Sequence, residues 1–193
     1  IERDITKEAE DQVERLESDS LGIVIHGDDW HHGVVGIVAG KLSRSHGKPM
    51  IVLGGNGDSL KGSGRGGTGI DLVAILALCS DLLETWGGHP AAVGLSLNRK
   101  NLDAFREAFA AAVDKTCKGQ LPEPTLEIAC WVEQNSLGSG ILSELDQLQP
   151  FGQENPEPIL GLRDVRLAYP PQVVGQNHFR FKVSNGDQLI SGI

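Results

Sequence analysis

The hydrophobic pattern of this chain changes at a proline-containing run, CKGQLPEPT at residues 117–125. Before this run, helix-like and strand-like patterns of apolar residues alternate along the sequence. After it, short strand-like segments follow one another with a single helix among them. Alternating helices and strands predict an α/β layer, whereas a series of short strands predicts a small β-barrel. The sequence therefore predicts an α/β domain followed by a small, mostly-β domain with an OB-like fold.

Apolar periodicity places the individual elements. A charged helix over residues 1–17 carries apolar residues on one face and suits a connection between domains. In the α/β part the predicted strands are 21–26, 50–53 and 91–97, and the predicted helices are 34–45, 70–85 and a segment marked by Leu102, Phe105, Phe109 and Val113. In the β part strands are predicted at 125–132, 158–162, 165–169, 178–184 and 188–193, with a helix at 141–148 and a turn at 184–187. The predicted division is an interdomain helix (1–20), an α/β domain (21–116), a linker (117–124) and a partial OB-like domain (125–193).

The composition indicates a soluble globular protein. Hydrophobic residues make up 39% of the 193-residue chain, and no apolar run approaches the roughly 20 residues of a membrane-spanning helix. The three cysteines, Cys79, Cys117 and Cys130, form no C-x-x-C pair, which argues against a disulfide framework or a zinc ribbon and favours a reducing cytoplasm. The chain begins at Ile1 and stops inside an alternating apolar run, so we expect it to be part of a longer protein.

The net charge of −9 is distributed unevenly. Acidic residues exceed basic ones by five in 1–20 and again by five in 122–193, whereas basic residues exceed acidic ones by two in 21–66. This positive surplus is small for a nucleic-acid-binding surface. We therefore do not expect strong non-specific electrostatic binding by this chain alone.

Two glycine-rich clusters, KGSGRGG at 61–67 and GGH at 87–89, flank the predicted helix 70–85, which Asp71 can cap. Glycine lets a ligand approach the backbone, and hydroxyl, guanidinium and imidazole groups bind phosphate oxygens. Each cluster alone is equally compatible with a simple turn. Together they predict a phosphate-binding surface, to which we add His31 because it precedes a predicted helix. The candidate residues are Lys61, Ser63, Gly64, Arg65, Gly87, Gly88, His89 and His31.

The spacing Gly62-x-Gly64-x-x-Gly67 also satisfies a dinucleotide-binding pattern. Arg65 would lie inside that turn, however, and no clear strand directly precedes it. The sequence contains no G-x-x-x-x-G-K-[ST] loop. These observations disfavour a nicotinamide-dependent enzyme and a Walker-type nucleotide hydrolase.

Five motifs occur in order along the chain: DDWHHGVVGIVA (28–39), KPMIVL (48–53), KGSGRG (61–66), GGHPAAVGL (87–95) and PFGQENPEP (150–158). This set closely resembles the bacterial RecJ family, the single-strand-specific 5′→3′ DNA exonucleases of the DHH phosphoesterase superfamily. The resemblance implies that residues 1–17 form the helix leaving a catalytic DHH domain. It also implies that 21–116 form a DHH-associated domain and that 122–193 form an incomplete OB-type DNA-binding domain.

The catalytic half of that family carries aspartates and a contiguous Asp-His-His motif that bind two divalent metals, Mn²⁺ or Mg²⁺, for phosphodiester hydrolysis. Here Trp30 interrupts the run Asp29-Trp30-His31-His32, which matches the W-H-x-G-V pattern of the associated domain instead. The resemblance implies that the metals bind an upstream DHH domain of the same protein, with no catalytic residue or metal ligand in this chain. This chain would position the terminal nucleotide of single-stranded DNA for an exonuclease of DNA repair and recombination, and would be inactive alone.

In the second domain, Arg166, Arg180 and Lys182 are candidates for contacts to a DNA backbone. Four aromatic residues suit either base stacking or the barrel core: Trp131, Tyr169, Phe179 and Phe181. A single-strand-binding protein is a further expected partner, and a membrane is not. Two other functions stay open: a phosphodiesterase of the same superfamily acting on short oligonucleotides or cyclic dinucleotides, and a non-catalytic nucleic-acid-binding appendage of the kind found in tRNA synthetases.

Overall fold

The computed structural model describes residues 1–16, 20–123, 125–152, 154–175, 178–184, 186 and 189–193. The chain forms two compact units, Ile1–Thr125 and Leu126–Ile193. The first unit is built on a mixed sheet with helices, and the second is small and rich in β-structure. The predicted fold class, an α/β domain followed by a small OB-like β domain, is confirmed.

The first unit contains nine helices and strands within its described part, apart from single 3₁₀ turns. They are α1 (Glu2–Arg15), β1 (Ile23–Gly27), α2 (His32–His46), β2 (Met50–Gly54), β3 (Ser59–Arg65), α3 (Leu72–Ala77), β4 (Thr85–His89), β5 (Ala92–Asn98) and α4 (Leu102–Cys117). The five strands form one sheet in the order β1-β2-β3-β5-β4. β1 and β2 are parallel and are joined through α2, because parallel neighbours need a crossover connection. All other neighbouring pairs in this sheet are antiparallel.

Helices cover both faces of this sheet, and each face has its own apolar core. The interior strand β2 is buried along its whole length and contributes to both cores, because successive side chains of a strand point to opposite faces. Ile51 and Leu53 pack in the core that α3 and α4 cover. Met50 and Val52 pack in the core that α1 and α2 cover.

The N-terminal helix α1 packs against α2 and β1. Three apolar residues at four-residue intervals are buried in this contact: Ile5, Ala9 and Val13. The buried Trp30 donates a hydrogen bond from Nε1 to Glu8 Oε2 at 2.8 Å, and Lys41 forms an ion pair with Glu2. Residues 17–19 lie outside the described residues, and the interdomain role of residues 1–20 stays a prediction.

The helix predicted over residues 70–85 is wrong in its extent. α3 ends at Ala77, a single 3₁₀ turn follows at Ser80–Leu82, and residues 85–89 form β4. Asp71 does cap α3, accepting a hydrogen bond from Ala74 N at 3.0 Å. The later apolar residues fit a helical period, but antiparallel pairing of β4 with β5 satisfies the backbone of this segment instead. Trp86, which the longer helix would have placed on its apolar face, is 37% exposed.

The KGSGRGG cluster lies mostly in strand β3, and the sequence analysis missed this strand. Glycine is uncommon inside strands, so the segment lacks the β-branched and aromatic residues that usually mark one. Close packing explains one of these glycines: a Cβ at Gly62 would lie 2.3 Å from the carbonyl oxygen of Val52 in the neighbouring strand β2. Both glycine clusters therefore belong to strands of the same sheet.

The second unit consists of short strands and one helix. In its described part these are β6 (Cys130–Trp131), α5 (Ser139–Asp146), β7 (Leu160–Gly161), β8 (Arg166–Leu167), β9 (Gln172–Val174), β10 (His178–Ser184) and β11 (Leu189–Gly192). β6 pairs with β7 in parallel, and β10 pairs antiparallel with β8, β9 and β11. β10 matches its predicted bounds, whereas the strand predicted at 125–132 is only two residues long. The sequence analysis missed β9, and the turn predicted at 184–187 lies partly outside the described residues.

Replacing Gly62 with Ala is expected to lower the free energy of unfolding by about 1–3 kcal/mol, because the methyl group would overlap the Val52 carbonyl oxygen and the Leu53 side chain. The matched control is Gly94→Ala in the neighbouring strand β5, where an added Cβ meets no described atom within 4 Å. Urea denaturation of both variants measures the difference. Equal stabilities would contradict this packing account.

Candidate nucleic-acid interface

Antiparallel pairing brings the two glycine clusters to one face of the sheet. Ser63 of β3 lies opposite Gly94 of β5, which lies opposite Gly87 of β4. Two residues further along, Arg65 lies opposite Ala92, which lies opposite His89. Residues directly opposite each other point to the same face of a sheet, as do residues two apart in one strand. Four of the predicted side chains and one predicted glycine therefore share one face, which we call the phosphate face: Lys61, Ser63, Arg65, His89 and Gly87.

Two predicted residues, Gly64 and Gly88, lie on the opposite face. A Cβ at Gly64 would lie 2.5 Å from Ile51 Cδ1, inside the core beneath α3 and α4. A Cβ at Gly88 would lie 2.4 Å from the carbonyl oxygen of Ala92, and Gly88 has a φ of +142°. Both positions require glycine for packing or backbone conformation. The sequence suggests that a ligand can approach the glycine backbone closely. On the phosphate face such an approach is possible at Gly87, where an added Cβ would meet no described atom within 4 Å.

Helix α2 borders the phosphate face, and glycines stand where it passes β3. A Cβ at Gly36 would lie 3.3 Å from Arg65 Nη2 and 3.4 Å from Ser63 Oγ. A Cβ at Gly40, one turn further, would lie 3.7 Å from Arg44 Nη1 and 3.9 Å from Arg65 Cγ. At these glycines α2 therefore packs closely against the Ser63 and Arg65 side chains of β3. Sequence reasoning missed Gly36 and Gly40, although their spacing of four residues places them on one helix face.

A groove of about 420 Å³ lies where α2 begins and is lined by His32, Lys61, Gly62, Thr85, Leu95 and Ser96. His31 is the N-cap of α2: its Nδ1 accepts a hydrogen bond from Gly33 N at 3.1 Å, and its exposed ring stacks on His32 with 4.6 Å between centroids. This hydrogen bond occupies Nδ1 and leaves Nε2 as the ring nitrogen that can donate to a ligand.

The cations on the phosphate face are not neutralised by neighbouring carboxylates. Arg65 donates from Nη1 to the carbonyl oxygen of Gly64 at 2.8 Å. Neither Arg65 nor Lys61 has an acidic side chain within 4.0 Å among the described residues. An ion pair of Arg65 with Asp58 or Asp71, the structural alternative to phosphate binding, is therefore not formed. Lys61 keeps its ammonium group for an anion, and Arg65 keeps the guanidinium donors that do not bind the Gly64 carbonyl oxygen.

Arg99 holds the loops that lead into this region. Its Nη2 donates to Asp28 Oδ1 at 2.6 Å and to the carbonyl oxygen of Gly55 at 2.8 Å, and its Nε donates to the carbonyl oxygen of Gly57 at 3.0 Å. The hydrogen bond from Arg99 lowers the pKa of the Asp28 carboxyl below its ordinary value. Arg99 thereby ties the segment before α2 to the β2–β3 connection. Sequence reasoning missed it because Arg99 and Asp28 are far apart in sequence and form no local pattern.

In the second unit, the three predicted cations share a sheet face. Arg180 and Lys182 are two residues apart in β10, and Arg166 of β8 lies opposite Ser184. Phe179 and Phe181 alternate with these cations and therefore point to the opposite face. The two aromatic rings would therefore stack on DNA bases at one face of the sheet, and the cations would contact DNA phosphates at the other face.

The other two aromatic candidates of the second unit are partly exposed. Trp131 is 51% exposed and lies beneath Arg163, whose Cζ is 4.3 Å from the ring centroid. Tyr169 is 39% exposed. Arg163 therefore covers one face of the Trp131 ring, and base stacking by either aromatic stays a prediction.

Two further observations concern ligands and membranes. Within the described ranges, no group of three His, Cys, Asp or Glu side chains is placed to hold a metal ion. In the same part of the chain, no helix combines the length and apolar character needed to cross a bilayer.

Comparison with known proteins identifies the family. A model of the DHHA1 domain matches residues 18–115, and a model of the RecJ OB domain matches residues 128–193. The chain belongs to the DHHA1 domain family. This DHHA1 chain also carries the RecJ OB domain, so the resemblance to the RecJ family is confirmed.

Several relatives of this DHHA1 chain are described as single-stranded-DNA-specific exonuclease RecJ. The Bacillus subtilis protein is 35% identical over 158 residues, which are 80% of this chain and 20% of that protein. The Salmonella typhimurium protein is 32% identical over 209 residues, which are 100% of this chain and 35% of that protein. This chain thus spans between a fifth and about a third of the length of these relatives. The crystal structure of RecJ in complex with Mn²⁺ from Thermus thermophilus has the same fold, with a TM-score of 0.74 and 24% identity over 98% of this chain and 28% of that chain.

Two substitutions of His31 separate its capping role from ligand binding. His31→Ala is expected to lower the free energy of unfolding by about 0.5–2 kcal/mol because the cap is lost, whereas His31→Asn is expected to retain it because Asn is a good N-cap. If the imidazole also contacts DNA, both variants will weaken oligonucleotide binding. Thermal unfolding and fluorescence anisotropy measure the two effects. Normal binding by His31→Asn would show that the ring acts as a cap and not as a DNA contact.

Proposed function

We propose that this chain is the nucleic-acid-binding and positioning part of a 5′→3′ single-stranded-DNA-specific exonuclease that acts in DNA repair and recombination. The observation that carries the proposal is the phosphate face, where Lys61, Ser63, Arg65 and His89 converge from separate sequence motifs. The match to the RecJ OB domain over residues 128–193 supports the same function. It favours an exonuclease over an oligonucleotide or cyclic-dinucleotide phosphodiesterase, which we would not expect to carry this domain.

Each group on the phosphate face has a distinct role in this proposal. The Arg65 guanidinium binds two oxygens of one DNA phosphate, and the Ser63 hydroxyl donates a further hydrogen bond. Lys61 adds a positive charge in the groove at the start of α2, and His89 donates from its imidazole at the edge strand. Gly87 keeps that edge free of side-chain atoms. Together they hold the terminal nucleotide and its phosphates in register, which contributes to catalysis by positioning.

Bond cleavage is assigned to an upstream DHH domain of the same protein. Two divalent metal ions, Mn²⁺ or Mg²⁺, would activate water and stabilise the charge of the phosphodiester there. The residues described in this chain do not fit such a site, because they place no three suitable ligands together. The similar solved structures from Thermus thermophilus are of RecJ in complex with Mn²⁺ and with Mg²⁺, which supports a divalent metal for the complete enzyme.

The second unit extends the contact with the strand in this proposal. Arg166, Arg180 and Lys182 bind its phosphates from one sheet face. The unit as a whole is acidic, so these three cations act locally and not through a broad positive field. A single-strand-binding protein as partner and a cytoplasmic location complete the proposal.

In the complete enzyme, Arg65→Ala is expected to weaken binding of single-stranded DNA by roughly 1–3 kcal/mol and to reduce the slope of log affinity against log salt by about one or less. Base preference should not change, because a phosphate contact carries no sequence information. Lys115→Ala is the control, since Lys115 is exposed on α4, which packs on the other face of the sheet. An Arg65→Ala enzyme with normal affinity, salt slope and exonuclease rate would remove Arg65 from the site.

The isolated chain is expected to show no nuclease activity with Mn²⁺ or Mg²⁺, because its described residues bring no three metal-ligating side chains together for phosphodiester hydrolysis. Joining it to the upstream DHH domain should restore degradation of single-stranded DNA from the 5′ end. The measurement is release of nucleotides from a 5′-labelled oligonucleotide. Robust metal-dependent degradation by the isolated chain would contradict the division of labour between the domains.

A further inference from the structure

Cationic side chains recur along α2 at intervals of one helical turn. Lys61 shares a cleft with His32, the guanidinium of Arg65 lies beside Gly36, and that of Arg44 lies beside Gly40. These helix positions are four residues apart, which corresponds to about 6 Å along the helix axis. The first two cations belong to the phosphate face. Arg44 does not, and none of the motifs in the sequence points to it.

The surroundings of Arg44 suit an anion. Arg44 is exposed, and its Nη1 would lie 3.7 Å from a Cβ at Gly40, where the Arg65 side chain also passes at 3.9 Å. No carboxylate in the described part of the chain lies within 4.0 Å of Arg44. Two arginines thus border the same glycine without a neutralising partner. Adjacent cations of this kind raise the local affinity for a negatively charged group.

A second observation points to a ligand at the same place. Ser43 is only 5% exposed, and its hydroxyl makes no hydrogen bond to another described residue. Among the described residues, the fully buried side-chain atom without a partner is Arg106 Nε, so the Ser43 hydroxyl reaches solvent and can donate to a ligand. Ser43 and Arg44 both line a cleft of about 300 Å³, whose opposite wall contains Gly66, Gly67 and Thr68. The hydroxyl therefore opens onto a space large enough for a phosphate group.

We propose that Arg44 and Ser43 form a second phosphate subsite, one helical turn beyond Arg65, for the backbone of the same DNA strand. The inference rests on the proposed function, because it extends the strand that Arg65 holds. Arg44 supplies the charge, and Ser43 donates a hydrogen bond to a phosphate oxygen in the cleft that both residues line.

Binding of a ten-nucleotide oligothymidylate to this chain tests the subsite. Arg44→Gln is expected to weaken binding about three- to tenfold and to reduce the salt slope by about 0.7, the value for one phosphate contact on a single strand. Ser43→Ala should weaken binding less, and Arg44→Lys should retain most of the salt slope because the charge remains. Lys115→Gln, on the other side of the sheet, is the matched control and should change neither quantity. Thermal unfolding of each variant checks that the fold is kept.

A ligand with one phosphate separates the new subsite from the first. Thymidine 5′-monophosphate, followed by NMR titration, should bind Arg44→Gln as well as it binds the unmodified chain, because Arg65 still holds its phosphate. Arg65→Gln should weaken binding of both the monophosphate and the oligothymidylate.

The outcomes for the two arginines are distinguishable. If Arg65→Gln weakens binding but Arg44→Gln leaves affinity and salt slope unchanged, the subsite is refuted and the proposed function stands. If Lys115→Gln weakens binding as much as Arg44→Gln, the effect is one of net charge and the subsite is again refuted. If neither arginine affects binding of either ligand, the proposed function fails together with the inference.

Discussion

The antiparallel pairing of β3, β5 and β4 is the constraint on which the rest of the site depends. It places Ser63 and Arg65 in line with Gly87 and His89, although β5 lies between them in the sheet. A slip of one residue in either pairing would turn one set of side chains to the opposite face. The core beneath α3 and α4 prevents this slip, because the residues that alternate with the site are apolar or glycine and pack there. Core packing and site assembly are thus two results of the same strand register.

The glycines near the site fall into two groups, and the physical reason for the missing side chain differs between them. Gly62 and Gly64 face the interior, where a side chain would collide with β2 or with the apolar core. Gly87 lies on the phosphate face, where the missing side chain leaves space for a ligand. A count of glycines in the sequence does not separate these groups, since both produce the same motif. The separation depends on which face of a strand or helix each residue occupies.

Apolar periodicity predicted β1, α2, β2, β5 and α4 close to their observed positions, because each carries enough buried residues to reveal its period. It missed β3, whose glycines leave little pattern, and extended α3 too far, because Leu82 and Trp86 continue a helical spacing. There pairing with neighbouring strands decided the structure, and the apolar period of the segment itself does not show this pairing. For the site, the sequence identified the chemical groups in KGSGRGG and GGH. Their common face, and the contributions of Arg99 and Arg44, depend on contacts between segments far apart in the chain.

β4 is an edge strand, and the backbone conformation at Gly88 reduces the risk that another chain pairs with it. An exposed strand at the margin of a sheet offers unpaired backbone groups on which another chain can add a strand and begin aggregation. All five residues of β4 are exposed, so side-chain bulk gives little protection. The φ of +142° at Gly88 takes the backbone out of regular extended geometry at the fourth of the five residues of this margin. A second chain could therefore not continue regular hydrogen bonding to the end of β4, and this shortens the edge on which self-association could begin while the edge stays open to a ligand.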